Sequence, residues 1–136
     1  MADIADIMEA LFARVESLDS GSPDLPIAWP EQAAAFVPPA DGRYLAVSFF
    51  SNAPRWSGVA SGRLDQGLLQ VSVIWPRNLG LLVPGAIADL IIAHFPLGLR
   101  LINGSARVTV AQQPWAASPL SEPDRLTIPV TIPWTA

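Results

Sequence analysis

Hydrophobic side chains recur with two different periods along this chain, and the switches between them lay out its elements. Near the amino terminus Ile4, Ile7, Met8, Leu11, Phe12, Val15 and Leu18 fall at helical spacing and make one apolar stripe. Asp3 is placed to cap this helix, and Asp6 sits in its first turn, where the helix dipole favours an acid. Gly21 and Pro23 end it. A helix with one apolar face packs on something flat.

The next segments have a period of two. In LPIAWP, Leu25, Ile27 and Trp29 share one face among prolines, which predicts a short edge strand. Residues 43–50 (RYLAVSFF) and 67–76 (GLLQVSVIWP) predict two further strands; in the second, Leu69, Val71, Val73 and Trp75 share a face and Gln70 and Ser72 occupy the other. The stretch between them, 51–66, is too long for a tight hairpin and predicts a loop, and Pro38-Pro39 with Asp41-Gly42 predicts another over 30–42. Helical spacing returns from Pro84 to Phe95, with Ile87, Leu90, Ile91 and His94 as the main stripe and Pro96 as the stop. Asn103-Gly104 predicts a turn into a strand near 106–113, and 114–124 connects to the end of the chain.

In that last segment Leu126, Ile128, Val130, Ile132 and Trp134 alternate with Thr127, Pro129, Thr131 and Pro133. A proline lacks the N–H that a strand ladder needs. Pro129 and Pro133 have the same parity, so both missing donors lie on one side, which predicts an edge strand blunted against further addition. The whole order, α-β-β-β-α-β-β, predicts an α+β fold: a mostly antiparallel sheet of four to five strands with two helices packed against it. At 136 residues the chain makes a single domain, 1–136.

Composition adds a surplus of apolar material. Charged residues are only 15% and apolar ones 51%, more than a small monomer hides, so part of the surface is expected to lie against partners. All eight cationic side chains are arginine, which suits interfaces, although nucleotide bias in the coding sequence explains this equally well. The net charge of −4 argues against gripping phosphate backbones. The absence of cysteine excludes disulfides, thiolate metal sites and cysteine nucleophiles. The acidic amino terminus is unlike a signal peptide, and Pro84, Asp89, His94, Pro96 and Arg100 break the longest apolar tract, so no membrane association is expected.

Few residues offer chemistry. His94 is the only histidine and lies on an apolar helix stripe, where a satisfied core or boundary role is expected. Asp3, Asp6 and Glu9 are explained by the helix start, and Glu122 and Asp124 by a solvated loop. Gly58 and Gly62 lack the Lys-Ser/Thr of a phosphate loop, and no Gly-x-Ser-x-Gly elbow occurs. The chain is therefore expected to be no enzyme, with no catalytic, cofactor-binding or metal-binding residues. Trp29, Trp75 and Trp134 sit on apolar strand faces and are expected in the core. Trp56 and Trp115 have no periodic context to bury them, so each either meets a partner or folds back over its own core.

The ordered set of an amphipathic amino-terminal helix, IAWP, YLAVSFF, GLLQVSVIWP, AIADLIIAHFP and RLTIPVTIPW resembles the tail-terminator family of long-tailed phages, with a lambda minor tail protein U-like fold. The resemblance spans nearly the whole chain. It implies a small α+β subunit that assembles as a sixfold ring on the head-proximal end of the tail tube, stops tube polymerisation and meets the head-completion (stopper) protein. The implied partners are further copies of itself, the major tail tube protein, the stopper and the tape-measure protein, and DNA passes through the lumen without specific binding. The implied location is the virion tail, with the host cytoplasm during assembly. The family has no catalytic motif to carry over, so interface candidates come from the residues themselves: Arg55, Trp56 and Arg63 in the 51–66 segment, Trp115 in the connection, and Pro129 and Pro133 in the last strand. The loops 30–42 and 51–66 and the connection 114–124 are expected to hold most inter-subunit and axial contacts. Two other readings compete: a different head–tail connector or tube subunit, and a small-molecule-binding α+β domain.

Overall fold

The computed structural model describes residues 3–19, 25–56 and 63–136, with the side chains of Arg55, Trp56 and Arg63 excepted. The first helix, α1 (Ile4–Glu16), buries Ile7, Ala10, Leu11 and Val15, the centre of the stripe seen in the sequence. Full burial of each larger aliphatic chain contributes roughly 1.5–3 kcal/mol. Asp3 occupies the cap position, but its side chain makes no cap bond; its carbonyl accepts the first helical bond from the Ile7 amide. The helix ends at Ser17, whose amide reaches the Ala13 carbonyl, earlier than Gly21 and Pro23, which lie outside the described residues.

The strands are β1 (Ile27–Ala28), β2 (Tyr44–Trp56), β3 (Arg63–Trp75), β4 (Arg100–Asn103), β5 (Ala106–Val110), β6 (Trp115–Ala116), β7 (Leu120–Ser121) and β8 (Leu126–Thr135), with α2 (Leu82–His94) between β3 and β4. They form one sheet in the order β1-β2-β3-β8-β5-β4, and β6 and β7 also pair with β8. The fold is α+β, but the sheet is larger than four to five strands and mixed, since β1 runs parallel to β2. Most of the added strands are short. The two-residue β6 and β7 carry no period, and β4 was hidden because Arg100 and Asn103 bracket only two apolar residues.

Three expectations are corrected. The 51–66 segment is mostly strand: β2 continues to Trp56 and β3 begins at Arg63, with a bulge at Ala53 and Pro54 held by a Gln66 Nε2 bond to the Ala53 carbonyl. The bulge keeps the ladder going where Pro54 cannot donate. The turn between β4 and β5 is Gly104-Ser105, one residue later than expected, because Asn103 and Ala106 still pair across it. Gly104 takes the positive φ of 56° that the first position of such a turn requires.

The third correction concerns the last strand. β8 is not an edge: it is central, paired with β3 along its length and with β5, β6 and β7 on its other side. Both prolines do face one side of β8, as their shared parity requires, but that side is inside the sheet. Ala136 exchanges both amide bonds with Asp65, so even-numbered residues face β3 and the odd-numbered prolines face the other way. On that side the neighbour is broken into pieces, and each proline sits opposite a break. Pro133 accepts from the Ala111 amide, between β5 and β6; Pro129 accepts from the Ala117 amide, just past β6. A proline can accept but cannot donate, so the partner strand is interrupted where donation would be needed.

The core lies between one face of this sheet and the two helices. Leu45, Val47, Leu69, Val71, Val73, Trp75, Val130, Ile132 and Trp134 meet Ile7, Leu11, Val15, Ile87, Ile91 and Phe95 there. Trp75 and Trp134 are buried as expected, and Trp29 is half-buried against Phe12. In α2 the inward residues are Pro84, Ile87, Ala88 and Ile91; Leu90, expected on the main stripe, points outward instead.

Candidate assembly interface

Both helices lie on one face of the sheet; on the other no helix lies among the described residues, although Tyr44, Ile74, Pro129, Thr131 and Pro133 there are buried and Phe36 of the 30–42 segment packs on Tyr44 at 4.9 Å. Residues directly opposite in antiparallel strands share a face, so the register defines the open one. Its rows run Ala46–Ser72–Pro129, Ser48–Gln70–Thr131–Trp115, Phe50–Leu68–Pro133 and Asn52–Gln66–Thr135–Thr109–Arg100, with Ile102 and Arg107 beyond. Across these positions in β2, β3 and β8 every described side chain is uncharged; Arg100 and Arg107 on the β4–β5 hairpin supply the charge. Phe50 and Trp115 are about half exposed, at 48% and 47%, while Thr131 beneath the Trp115 row is buried.

Two groups of the candidate interface residues are drawn together. Trp115, Pro129 and Pro133 converge around Thr131 on the open face, because β6 pairs with β8 there. Trp115 therefore does not fold into the core, and its ring remains at the surface. Arg55, Trp56 and Arg63 meet at the far end of the β2–β3 hairpin, where Trp56 is opposite Arg63 and Arg55 opposite Leu64. The first group lies mid-sheet and the second at the sheet's end. The remaining open-face residues, Ser48, Phe50, Leu68 and Gln70, had no functional signal beyond strand parity. What the sequence could not supply was the position of β8, which decides whether the prolines border solvent or lie within the sheet.

The histidine is a boundary residue. His94 Nε2 lies 2.8 Å from the Arg14 carbonyl and 2.8 Å from Ser17 Oγ, while Arg14 Nε donates to the His94 carbonyl at 2.9 Å. Partial burial lowers its pKa below the ordinary value; the hydrogen bond to the Arg14 carbonyl opposes this, and the Arg14 charge adds to it. A second polar seam ties α1 to the β4–β5 turn, where Ser105 Oγ donates to Asp6 and Asn103 Nδ2 to Glu9 and the Asp6 carbonyl. Both seams are explained as joints between elements. Among the described residues no group of three or more His, Asp or Glu side chains is arranged to hold a metal ion. None of the described helices is long and apolar enough to cross a membrane.

Over its central strands this second face of the sheet carries no charge among the described residues. One solved chain superposes with a TM-score of 0.80 at 26% identity, over 99% of this chain and 96% of its own. A chain in the virion of a native gene transfer agent particle has the same fold, with a TM-score of 0.67 at 14% identity over 96% of this chain and 94% of its own. No curated protein matches the sequence. The family described as phage tail terminator protein matches residues 6–134, and this chain belongs to it. It is a structural tail protein of the virion.

Proposed function

We propose that this protein is the ring-forming terminator of a tail tube: copies join head to tail, cap the head-proximal end of the tube, stop its polymerisation and present a surface to the head-completion protein. The observation that carries the reading is membership of the tail terminator family over almost the whole chain. The helix-free sheet face, uncharged over β2, β3 and β8 and with Phe50 and Trp115 half exposed on it, supports the reading. Six copies per ring, the tube and tape-measure proteins as neighbours, and free passage of DNA through the lumen complete the reading. The −4 charge of the chain suits a channel in which DNA slides without sticking.

Electron microscopy of particles made without this gene tests the proposal. Tails of uncontrolled length, unattached to heads, are the expected result. Tails of normal length that fail to join heads would move the protein to the stopper position. Intact infectious particles would overturn both.

A further inference from the structure

The molecule carries a second exposed surface, this one apolar, on the side opposite the open sheet face. α2 is apolar around nearly its whole circumference, a pattern that belongs to a helix covered on all sides. Its inward residues, Pro84, Ile87, Ala88 and Ile91, are buried on the sheet. Its outward residues fall on one stripe at helical spacing: Leu82, Ala86, Leu90 and Ala93, continued past the helix by Leu97. Leu82 is 89% exposed, Leu90 45% and Leu97 59%. Asp89 is the only charged side chain on that stripe. The two alanines leave low ground between the leucines, and a groove of about 430 Å³ between Ala86 and Ala116 runs beside it.

We propose that the outward stripe of α2 docks on the open sheet face of a second copy of this chain. The outward leucines of α2 have no cover among the described residues, and joining the two surfaces would bury them against Phe50, Leu68 and Trp115 on a sheet face whose central strands carry no charge. The charges agree as well. The helix stripe carries one carboxylate, Asp89, and the strand positions of the open face carry two guanidinium groups, Arg100 and Arg107, as their only described charges. Because the two surfaces lie on opposite sides of the subunit, they cannot pair face to face. The contact is heterologous and passes from copy to copy, and it makes a ring where the rotation between successive copies closes. This inference rests on the ring reading and deepens it, by naming which surfaces meet.

The cysteine-free chain makes the test direct. Ala86→Cys places a thiol on the helix stripe and Gln70→Cys one in the middle of the open face. A bis-maleimide with a reach of about 10 Å is applied to the purified chain over a range of concentrations and to assembled tails. The double variant is expected to give a ladder of covalent multimers that stops at one largest species. A mixture of the two single variants is expected to stop at the dimer. Failure to cross-link in a sample that sediments as an oligomer, or in tails that contain the protein, would overturn this contact and leave the ring reading standing. Self-linking of either single variant would replace it with face-to-face pairing. Linkage of Ala86→Cys to the tube protein instead would show that the stripe belongs to another partner. As a second readout, Asp89→Arg should weaken self-association about tenfold, and adding Arg100→Asp with Arg107→Asp to the same chain should restore most of it. No rescue, with all variants folded, would remove the proposed charge pairing.

Discussion

Arg14 and His94 each hold the other's backbone: the Arg14 guanidinium donates to the His94 carbonyl at 2.9 Å, and His94 Nε2 faces the Arg14 carbonyl at 2.8 Å. The pair fastens the last turn of α1 to the last turn of α2, so two elements 80 residues apart end at one joint. Its histidine has a lowered pKa, chiefly through burial. The unfolded chain therefore binds the proton more tightly than the folded one, and stability falls as pH falls. The contribution is complete above the ordinary value of 6.5 and is lost as pH drops through the lower, folded value. Urea unfolding between pH 7.5 and about 5 should show this slope. His94→Gln, which keeps a donor but does not titrate, should lose part of it. Identical slopes in the two proteins would mean that the joint does not sense protonation.

Gly67 lies where β3 passes under Trp134. A β-carbon there would run into the Phe50 carbonyl and come within 2.6 Å of the Trp134 ring, which is itself stacked on Phe49 at 5.5 Å. Gly67→Ala should therefore destabilise the fold by about 2–4 kcal/mol. Gly85 provides the contrast. It is inside α2 with open space around its missing side chain, so Gly85→Ala should stabilise by about 0.5–1 kcal/mol. Denaturant midpoints for the two variants should move in opposite directions; movement in the same direction would contradict the packing around one of them.

Local patterns were legible in the sequence where a single face decides the outcome. Leu69, Val71, Val73 and Trp75 were assigned to one buried face by alternation, and α1 by its stripe. The paired partners of β8 were not legible, because parity tells which side a proline spoils but not what lies there. Pro129 and Pro133 looked like the blunting of an outer edge; in the structure they are opposite interruptions in the neighbouring strand. The same limit hid the assembly surface. Ser48, Gln70 and Thr131 read as ordinary polar positions on three separate strands, and only the register makes them one row. For α2, total hydrophobicity was visible, yet which residues faced outward depended on where the sheet lay, and Leu90 was assigned to the wrong side.

The central position of β8 changes what replacing its prolines should do. Pro129→Ala adds an N–H on the side of Ala117, whose own amide already donates to the residue 129 carbonyl. Pro129 is buried, and the register sets the Ala117 carbonyl opposite the new donor as its acceptor. The expected cost is about 0.5–1 kcal/mol, from the added freedom of the unfolded chain, with no rise in self-association. An outer edge would behave otherwise: stability would hold, and self-association would rise as a new ladder site opened. Thermal unfolding and sedimentation of the one variant decide between these.

Arg55 and Trp56 close β2 at the end of the hairpin, opposite Leu64 and Arg63 and beyond the last β3–β8 pair at Gln66 and Thr135. Their backbone pairs with β3 alone, outside the stretch where β3 and β8 form the centre of the sheet. The double variant Arg55→Ala, Trp56→Ala should unfold within a few degrees of the parent, since about 1 kcal/mol shifts Tm by only a few degrees in a domain of this size. If the hairpin end carries contacts along the ring axis, the same variant should enter tails poorly, with tail lengths drifting upward when it replaces the parent gene. Aromatic and arginine side chains at interface centres typically cost 2 kcal/mol or more on truncation, roughly a thirtyfold loss of binding, so the defect should be plain in particle counts. Normal incorporation with normal tail length would take the hairpin end off the assembly surface and leave the sheet face and the outward stripe of α2 as the surfaces that build the ring.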